Sequence, residues 1–369
     1  MGAVDHLTVR SRLGDYTVDF RDDVAWVTDL CDLENAFFVV DERVWQLHGS
    51  GCLAPLASHS LHLLSATEDA KTLDGVAELC DAMISRAAKR NAVVVSIGGG
   101  VVQDATGFLA SVIYRGVRWV YVPTTLLAQA DSCIGSKTSI NFRQFKNLLG
   151  TMYPPQHVIV HPPLATTLDD HQFFSGLGEI VKMHIVAGHD DVVRLEPRMA
   201  ALCRREPPAV SEAVRSSLRI KQRFIEEDEF DRGLRRLLNF GHCFGHAIES
   251  ATDFSVPHGQ AVVLGMILAG IVSSSRGQLE RSQLDEFGSR LFVPTLTSAA
   301  DTEGLAGDAV IEAMRHDKKR SGAGLAVVLP AEDWSLFLAD DVAEAEALRA
   351  LAELPGALEA ARNLRDRVA

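Results

Sequence analysis

The residues with the most chemical potential fall in a few short stretches. In LLNFGHCFGHAIES, His242 and His246 stand four apart, so a helix sets both imidazoles on one face, and His258 follows in VPHGQAV. Upstream, GLGEIVKMHIV places Glu179 and Lys182 three apart on an otherwise apolar helical pattern. A carboxylate and an ammonium on such a face are costly to bury unless they pair or hold an ion. One carboxylate and two imidazoles with an open position make a catalytic zinc site. Spacing alone does not choose the ligands, and any single histidine here also reads as a cap or a surface residue. The pattern is not HExxH, which argues against a metalloprotease.

A second stretch suits an anion. Gly98, Gly99 and Gly100 directly follow the apolar run VVVSI and precede VVQDATGFLASVIY, which has helical periodicity. Residues without side chains let a backbone approach a pyrophosphate, and a helix start offers unpaired N–H groups to it. The spacing is not GxGxxG, so the turn alone is equally an ordinary tight turn, and Asp104 just beyond it equally a helix-start acid. ADSCIGSKTS around Lys137 lacks the Gly-Lys pair of a P-loop, which argues against a nucleotide triphosphatase.

The elements that must position these residues follow from periodicity. Between about residues 36 and 165, the runs AFFVV, VVVSI, VRWVYV and HVIV alternate with helical patterns, which predicts a mainly parallel sheet with crossover helices. After Pro162 and Pro163 the texture turns to long amphipathic segments, with LAVVL near Val327 as one isolated strand-like run and the tail from Asp341 read as a pair of surface helices. At 369 residues, two domains are expected, divided as 1–165 and 166–369. A net charge of −13 argues against a nucleic-acid or anionic-membrane surface. No apolar run approaches the roughly 20 residues that span a bilayer, and the opening stretch lacks the apolar core of a signal peptide. Six scattered cysteines fit reduced thiols, and the expectation is a cytoplasmic protein.

Taken in order, GGGVVQDATGF, YRGV, VPTTLLAQADSCIGSKTSIN, KNLLG, GLGEIVK, LNFGHCFGHAIE, HG and DKK resemble the 3-dehydroquinate synthase family of sugar phosphate cyclases, from about Glu68 to Leu329. The resemblance implies a Rossmann-like α/β dinucleotide-binding domain followed by a mostly α-helical metal-binding domain. It implies NAD and a divalent metal, zinc or cobalt, as cofactors, with Glu179, His242 and His258 as the metal ligands. Asp41, Glu68, Lys71, Gly99, Gly100, Val101, Asp104, Thr124 and Thr125 match NAD contacts, with Lys137 and Lys146 close to both cofactor and substrate. Asp131, Lys137, Lys146, Asn147 and Lys182 match residues around the substrate ring. Asn239, His246 and Lys319 match phosphate contacts, and Arg115 resembles an arginine supplied to a neighbouring subunit, which implies a homodimer.

The chemistry so implied is transient oxidation of a secondary alcohol by NAD, elimination of phosphate, reduction and intramolecular aldol closure. Arg235 and Lys221 match the pair that clamps a substrate carboxylate, which favours the seven-carbon acid DAHP and its conversion to 3-dehydroquinate. A diverged secondary-metabolic cyclase taking aminoDAHP, sedoheptulose 7-phosphate or glucose 6-phosphate is the alternative, since GSKTSIN replaces the more usual GGKTG and Gln103 stands where glycine is common. A metal-dependent polyol dehydrogenase is a further alternative, disfavoured because a simple polyol needs no cluster such as Lys137, Lys146, Arg235 and Lys319.

Overall fold

The computed structural model describes residues 5–368 apart from 87–88, 144, 301, 303–304 and 316–323. Two compact units divide the chain: Met1–Thr167 with Lys221–Glu229, and Leu168–Ile220 with Phe230–Ala369. The exchanged piece is the end of a long helix and the residues just after it. It joins the first unit through polar contacts that no local pattern announces. Arg10 Nη2 donates to Glu226 Oε2 at 2.7 Å, and Ser11 Oγ and Ser136 Oγ donate to Glu229 Oε1 at 2.6 and 2.8 Å.

In the first unit the strands are β1 (Asp5–Val9), β2 (Tyr16–Phe20), β3 (Ala36–Asp41), β4 (Leu61–Leu64), β5 (Val93–Gly98), β6 (Arg118–Pro123), β7 (Lys137–Phe142), β8 (Phe145–Met152) and β9 (His157–Val160). Among the described residues, seven form one sheet in the order β1-β2-β9-β6-β5-β3-β4. It is parallel except for β1, which pairs antiparallel with β2. β5 is buried along its whole length, as an unbroken β-branched run requires when both faces of a sheet are covered. The helices are α1 (Ala25–Cys31), α2 (Glu42–His48), α3 (Leu73–Ser85) and α4 (Gly100–Val112). α3 starts where Thr72 Oγ1 accepts from Gly75 N at 3.2 Å and buries Val76, Leu79 and Met83 at helical spacing. The periodicity missed β1 and β2, which join the sheet ahead of residue 36, the short β4, and the separate β7–β8 hairpin.

The second unit holds α5 (Asp170–Ala187), α6 (His189–Leu195), α7 (Met199–Cys203), α8 (Pro207–Glu227, up to Ile220), α9 (His242–Ala251), α10 (His258–Ser275), α11 (Arg281–Phe287), α12 (Gly307–Arg315) and α13 (Glu344–Val368). LAVVL is not an isolated strand: β10 (Leu325–Pro330) pairs antiparallel with β11 (Leu336–Val342), whose alternation is broken by Asp340 and Asp341. The tail is likewise one helix, α13, with Pro355 inside it. It buries Ala347, Ala350, Leu354 and Ala361, so it is a core-facing element and not a surface pair.

α10 is apolar all round, with mean hydropathy 1.4 and 83% of it buried. It is the one helix among the described residues long and apolar enough to cross a membrane, and here it is a core helix. It packs against α5, α9 and α13. Its contact with α5 has no room for a side chain: a Cβ on Gly259 would lie 1.8 Å from Ser175 O, while Gly259 N donates to Ser175 Oγ at 2.9 Å. Because both contacts are to fixed backbone or a short hydroxyl, Gly259→Ala must push the helices apart. We expect a stability loss of about 3 kcal/mol, read by denaturant unfolding, together with weakened metal binding.

Candidate active site

The strand order decides where a ligand can approach the first unit. β4 lies outside β3 and β5 returns on the other side of β3, so the winding reverses between β3 and β5. In such sheets the crevice opens at the carboxyl ends of the strands at that reversal. Asp41 ends β3, the glycines follow β5, and Thr124 and Thr125 follow β6. Gly99 is the residue before α4 and approaches β6 closely, since a Cβ there would sit 2.8 Å from Thr125 Cγ2. A Cβ on Gly100 would meet nothing within 4 Å, so the start of α4 is open beside half-buried Val101. Thr124 is buried and its Oγ1 has no hydrogen-bond partner among the described residues. An orphaned hydroxyl beside a glycine turn suits a polar cofactor.

Asp41 also has a structural role, since its Oδ1 accepts from Arg43 N at 2.8 Å and Val44 N at 3.4 Å and so caps α2. Asp104 lies past the first turn of α4 and is no helix-start acid. Its Oδ2 pairs with Lys71 Nζ at 2.6 Å, and its Oδ1 accepts from Ser139 N at 2.9 Å. Burial pushes the Asp104 carboxyl up, against the downward pull of Lys71 and Ser139. Lys71 Nζ also donates to Asn147 Oδ1 at 2.6 Å, and Asn141 Nδ2 to Glu68 Oε2 at 2.7 Å. Asn147 holds a positive φ of 52°, a conformation asparagine tolerates, and its N–H donates to Asn141 Oδ1 at 3.0 Å. The fold thus brings together Glu68, Lys71, Asp104 and Asn147. It adds Ser139 and Asn141, which the motif reading missed although they alternate with Lys137 along one face of β7.

Lys137 and Lys146 are exposed on the β7–β8 hairpin, and Arg115 is exposed in a tight turn at φ 68°. Lys221 is buried, donates from Nζ to Asp131 O at 2.6 Å, and pairs with the Asp131 carboxylate. Arg235 is buried in the second unit. Lys319 lies outside the described residues.

In the second unit Glu179 is 1% exposed. Lys182 Nζ stands 2.5 Å from its Oε2, and His258 Nε2 and His242 Nε2 stand 3.2 and 3.8 Å from its Oε1. Neither oxygen receives a hydrogen bond of good geometry from the described residues. Burial opposes the charge, yet the Lys182 ammonium and the two imidazoles hold the Glu179 carboxyl well below the usual carboxylate range. Burial and Lys182 push His242 well below its ordinary value, which favours the uncharged ring. Its Nδ1 faces Phe240 O at 3.2 Å, which leaves the Nε2 lone pair turned toward Glu179. His258 Nδ1 meets Glu249 Oε2 at 3.0 Å. Burial opposes charge on His258, but Glu179 and Glu249 push it up to about 10, so a proton sits between two carboxylates where a divalent cation competes.

Each imidazole therefore presents Nε2 to one carboxylate and anchors Nδ1 on an oxygen, the arrangement of metal-bound histidines. His246 joins the group, with ligand atoms of His242, His246 and His258 within 4.8 Å of one another. Glu179 with these rings fits a divalent metal. Glu249 was missed by motif reading; its only signal is an acid three residues after His246, on the same face of α9.

Two family models together cover most of the chain. Residues 61–175 match the 3-dehydroquinate synthase N-terminal model, and residues 176–320 match the 3-dehydroquinate synthase C-terminal model. The chain belongs to the 3-dehydroquinate synthase family. It is an enzyme of the sugar phosphate cyclase type. A 3-dehydroquinate synthase from Dehalococcoides mccartyi (strain CBDB1) is 35% identical over 77% of this chain and 79% of that protein. Among solved structures, 2-epi-5-epi-valiolone synthase from Streptomyces hygroscopicus subsp. jinggangensis, with NAD+ and Zn2+ bound, superposes with a TM-score of 0.79 at 28% identity, over 95% of this chain and 99% of that one. A 2-deoxy-scyllo-inosose synthase complexed with carbaglucose-6-phosphate, NAD+ and Co2+ gives 0.82 at 20% identity, over 95% and 99%, and shares the fold.

Two substitutions check the two halves of the site. Glu249→Ala should weaken zinc binding by about ten- to a hundredfold, measured by competition with a chelator, because His258 loses its anchor. Thr124→Val should leave the stability of the cofactor-free protein unchanged or slightly raised, since it removes an unpaired buried hydroxyl, while lowering NAD affinity several-fold in calorimetric titration.

Proposed function

We propose that this enzyme converts DAHP to 3-dehydroquinate with release of phosphate, using NAD and a divalent metal, zinc or cobalt. The observation that carries the reading is the convergence of Glu179, His242 and His258, each ring anchored from behind, around a carboxylate too buried to be ornamental. In this reading residues 1–165 bind the dinucleotide and residues 166–369 hold metal and substrate. The enzyme works in the cytoplasm as a homodimer to which Arg115 contributes.

Glu179, His242 and His258 would hold the metal, and the glycine turn with Thr124, Asp41 and the Glu68–Lys71–Asp104 network would hold NAD. When bound, the two groups supply reversible hydride transfer at a secondary alcohol and stabilise charge developing on its oxygen. Lys182 keeps Glu179 ionised, and its family match would make it a donor to the substrate ring. Asp131 and Lys221 are paired with each other, and both match residues of the family that meet the substrate. Arg235 and Lys221 are the donors suited to a substrate carboxylate, which supports DAHP over a sugar phosphate without one.

The test offers zinc- or cobalt-loaded protein with catalytic NAD+ three substrates separately: DAHP, sedoheptulose 7-phosphate and glucose 6-phosphate. Phosphate release from DAHP alone is expected, and Glu179→Ala should abolish both metal retention and turnover. Turnover of either other sugar without DAHP would overturn the substrate, and full activity in Glu179→Ala would overturn the metal assignment.

A further inference from the structure

The segment Leu234–Asn239 is a 3-10 helix, a geometry in which side chains three apart stand one above the other. Arg236 and Asn239 therefore share a face, and Asn239 Nδ2 donates to Arg236 O at 3.0 Å, tying the two ends of that face together. Arg235 is 8% exposed and does not line the cavity that this face does, whereas Arg236 is exposed. The shared face lines a small cavity of about 60 Å³ within the second unit, closed by His242 and His246 of α9 and by the apolar side chains Val328 and Leu338 of the β10–β11 hairpin.

The cavity has the chemistry of an oxyanion site. Its volume accommodates about four or five water-sized groups, the atom count of a tetrahedral oxyanion. Its polar walls are a guanidinium, a carboxamide and imidazoles, and no carboxylate stands among the described residues that line it. No ion pair to a described residue engages the Arg236 guanidinium, so its charge is not already neutralised. A planar fork of N–H donors grips phosphate at two oxygens, which neither an amide nor an imidazole can do. The hairpin wall is apolar, and excluding water on that side strengthens the contact.

We propose that Arg236 is a specificity-determining residue that clamps the substrate's phosphate group in this cavity, alongside Asn239 and His246. The inference rests on the phosphorylated-substrate reading above and deepens it: selection for a phosphorylated over an unphosphorylated sugar comes in large part from one arginine that the sequence motifs do not single out.

The experiment pairs kinetics with ligand binding that needs no turnover. Arg236→Ala should raise KM for the sugar phosphate about tenfold, with a smaller change in kcat, and should weaken inorganic phosphate binding to the metal-loaded protein by the same factor in calorimetry. Arg236→Lys should recover part of both, because the charge returns without the fork. Zinc affinity, measured in the same samples, should stay at the wild-type value. Equal KM and equal phosphate affinity in wild type and Arg236→Ala overturn the assignment. So does a loss of zinc affinity that accounts for the change in KM. A wild type that turns over no sugar phosphate yet binds inorganic phosphate through Arg236 overturns the substrate reading and supports this site.

Discussion

Glu179 is a carboxylate placed where water does not reach, in the middle of a helix that is buried and largely apolar around it. Stripping an ion of its hydration costs several kcal/mol even after relaxation. That cost is offset only if compensating charge stands within a few ångströms, and α5, α9 and α10 supply it. Lys182 comes from the same helix one turn on, His242 from the first residue of α9, and His258 from the first residue of α10. The close approach at Gly259 is what lets the start of α10 lie against α5, so a missing side chain sets the distance between imidazole and carboxylate.

The anchoring behind the two rings follows from the same demand. A ring that must face Glu179 with Nε2 needs its other nitrogen satisfied, and Phe240 O and Glu249 provide that. The four-residue spacing of His242 and His246 puts both rings on one face of α9, where they line the small cavity beside Asn239 while His242 also faces the carboxylate.

The first unit solves a different problem. The winding of its sheet reverses between β3 and β5, which leaves an opening at the strand ends, and its polar residues hold one another. The Lys71–Asp104 pair is fastened to the β7–β8 hairpin through Ser139 and Asn147. The serine hydroxyls of GSKTS are bonded partners in this arrangement: Ser136 holds Glu229 and Ser139 holds Asp104. The departure from the more usual glycines therefore carries new hydrogen bonds.

Much of this was legible in the order of residues along the chain. Short β-branched apolar runs marked β3, β5, β6 and β9, and the ordered motifs named Glu179, His242, His258, Asn239 and His246, because such runs and local motifs are properties of neighbours in the chain. What neighbours do not encode is which distant segments meet. The exchange of Lys221–Glu229 into the first unit, the pairing of β10 with β11, the anchoring of His258 by Glu249 and the shared face of Arg236 and Asn239 each depend on a register, a pairing or a helix type set by packing far from the residues concerned. Sequence alone determined the chemical groups and the family to which they belong. Only the tertiary structure decided which atoms of those groups face one another, since that depends on interhelical distances of a few ångströms that one glycine can set.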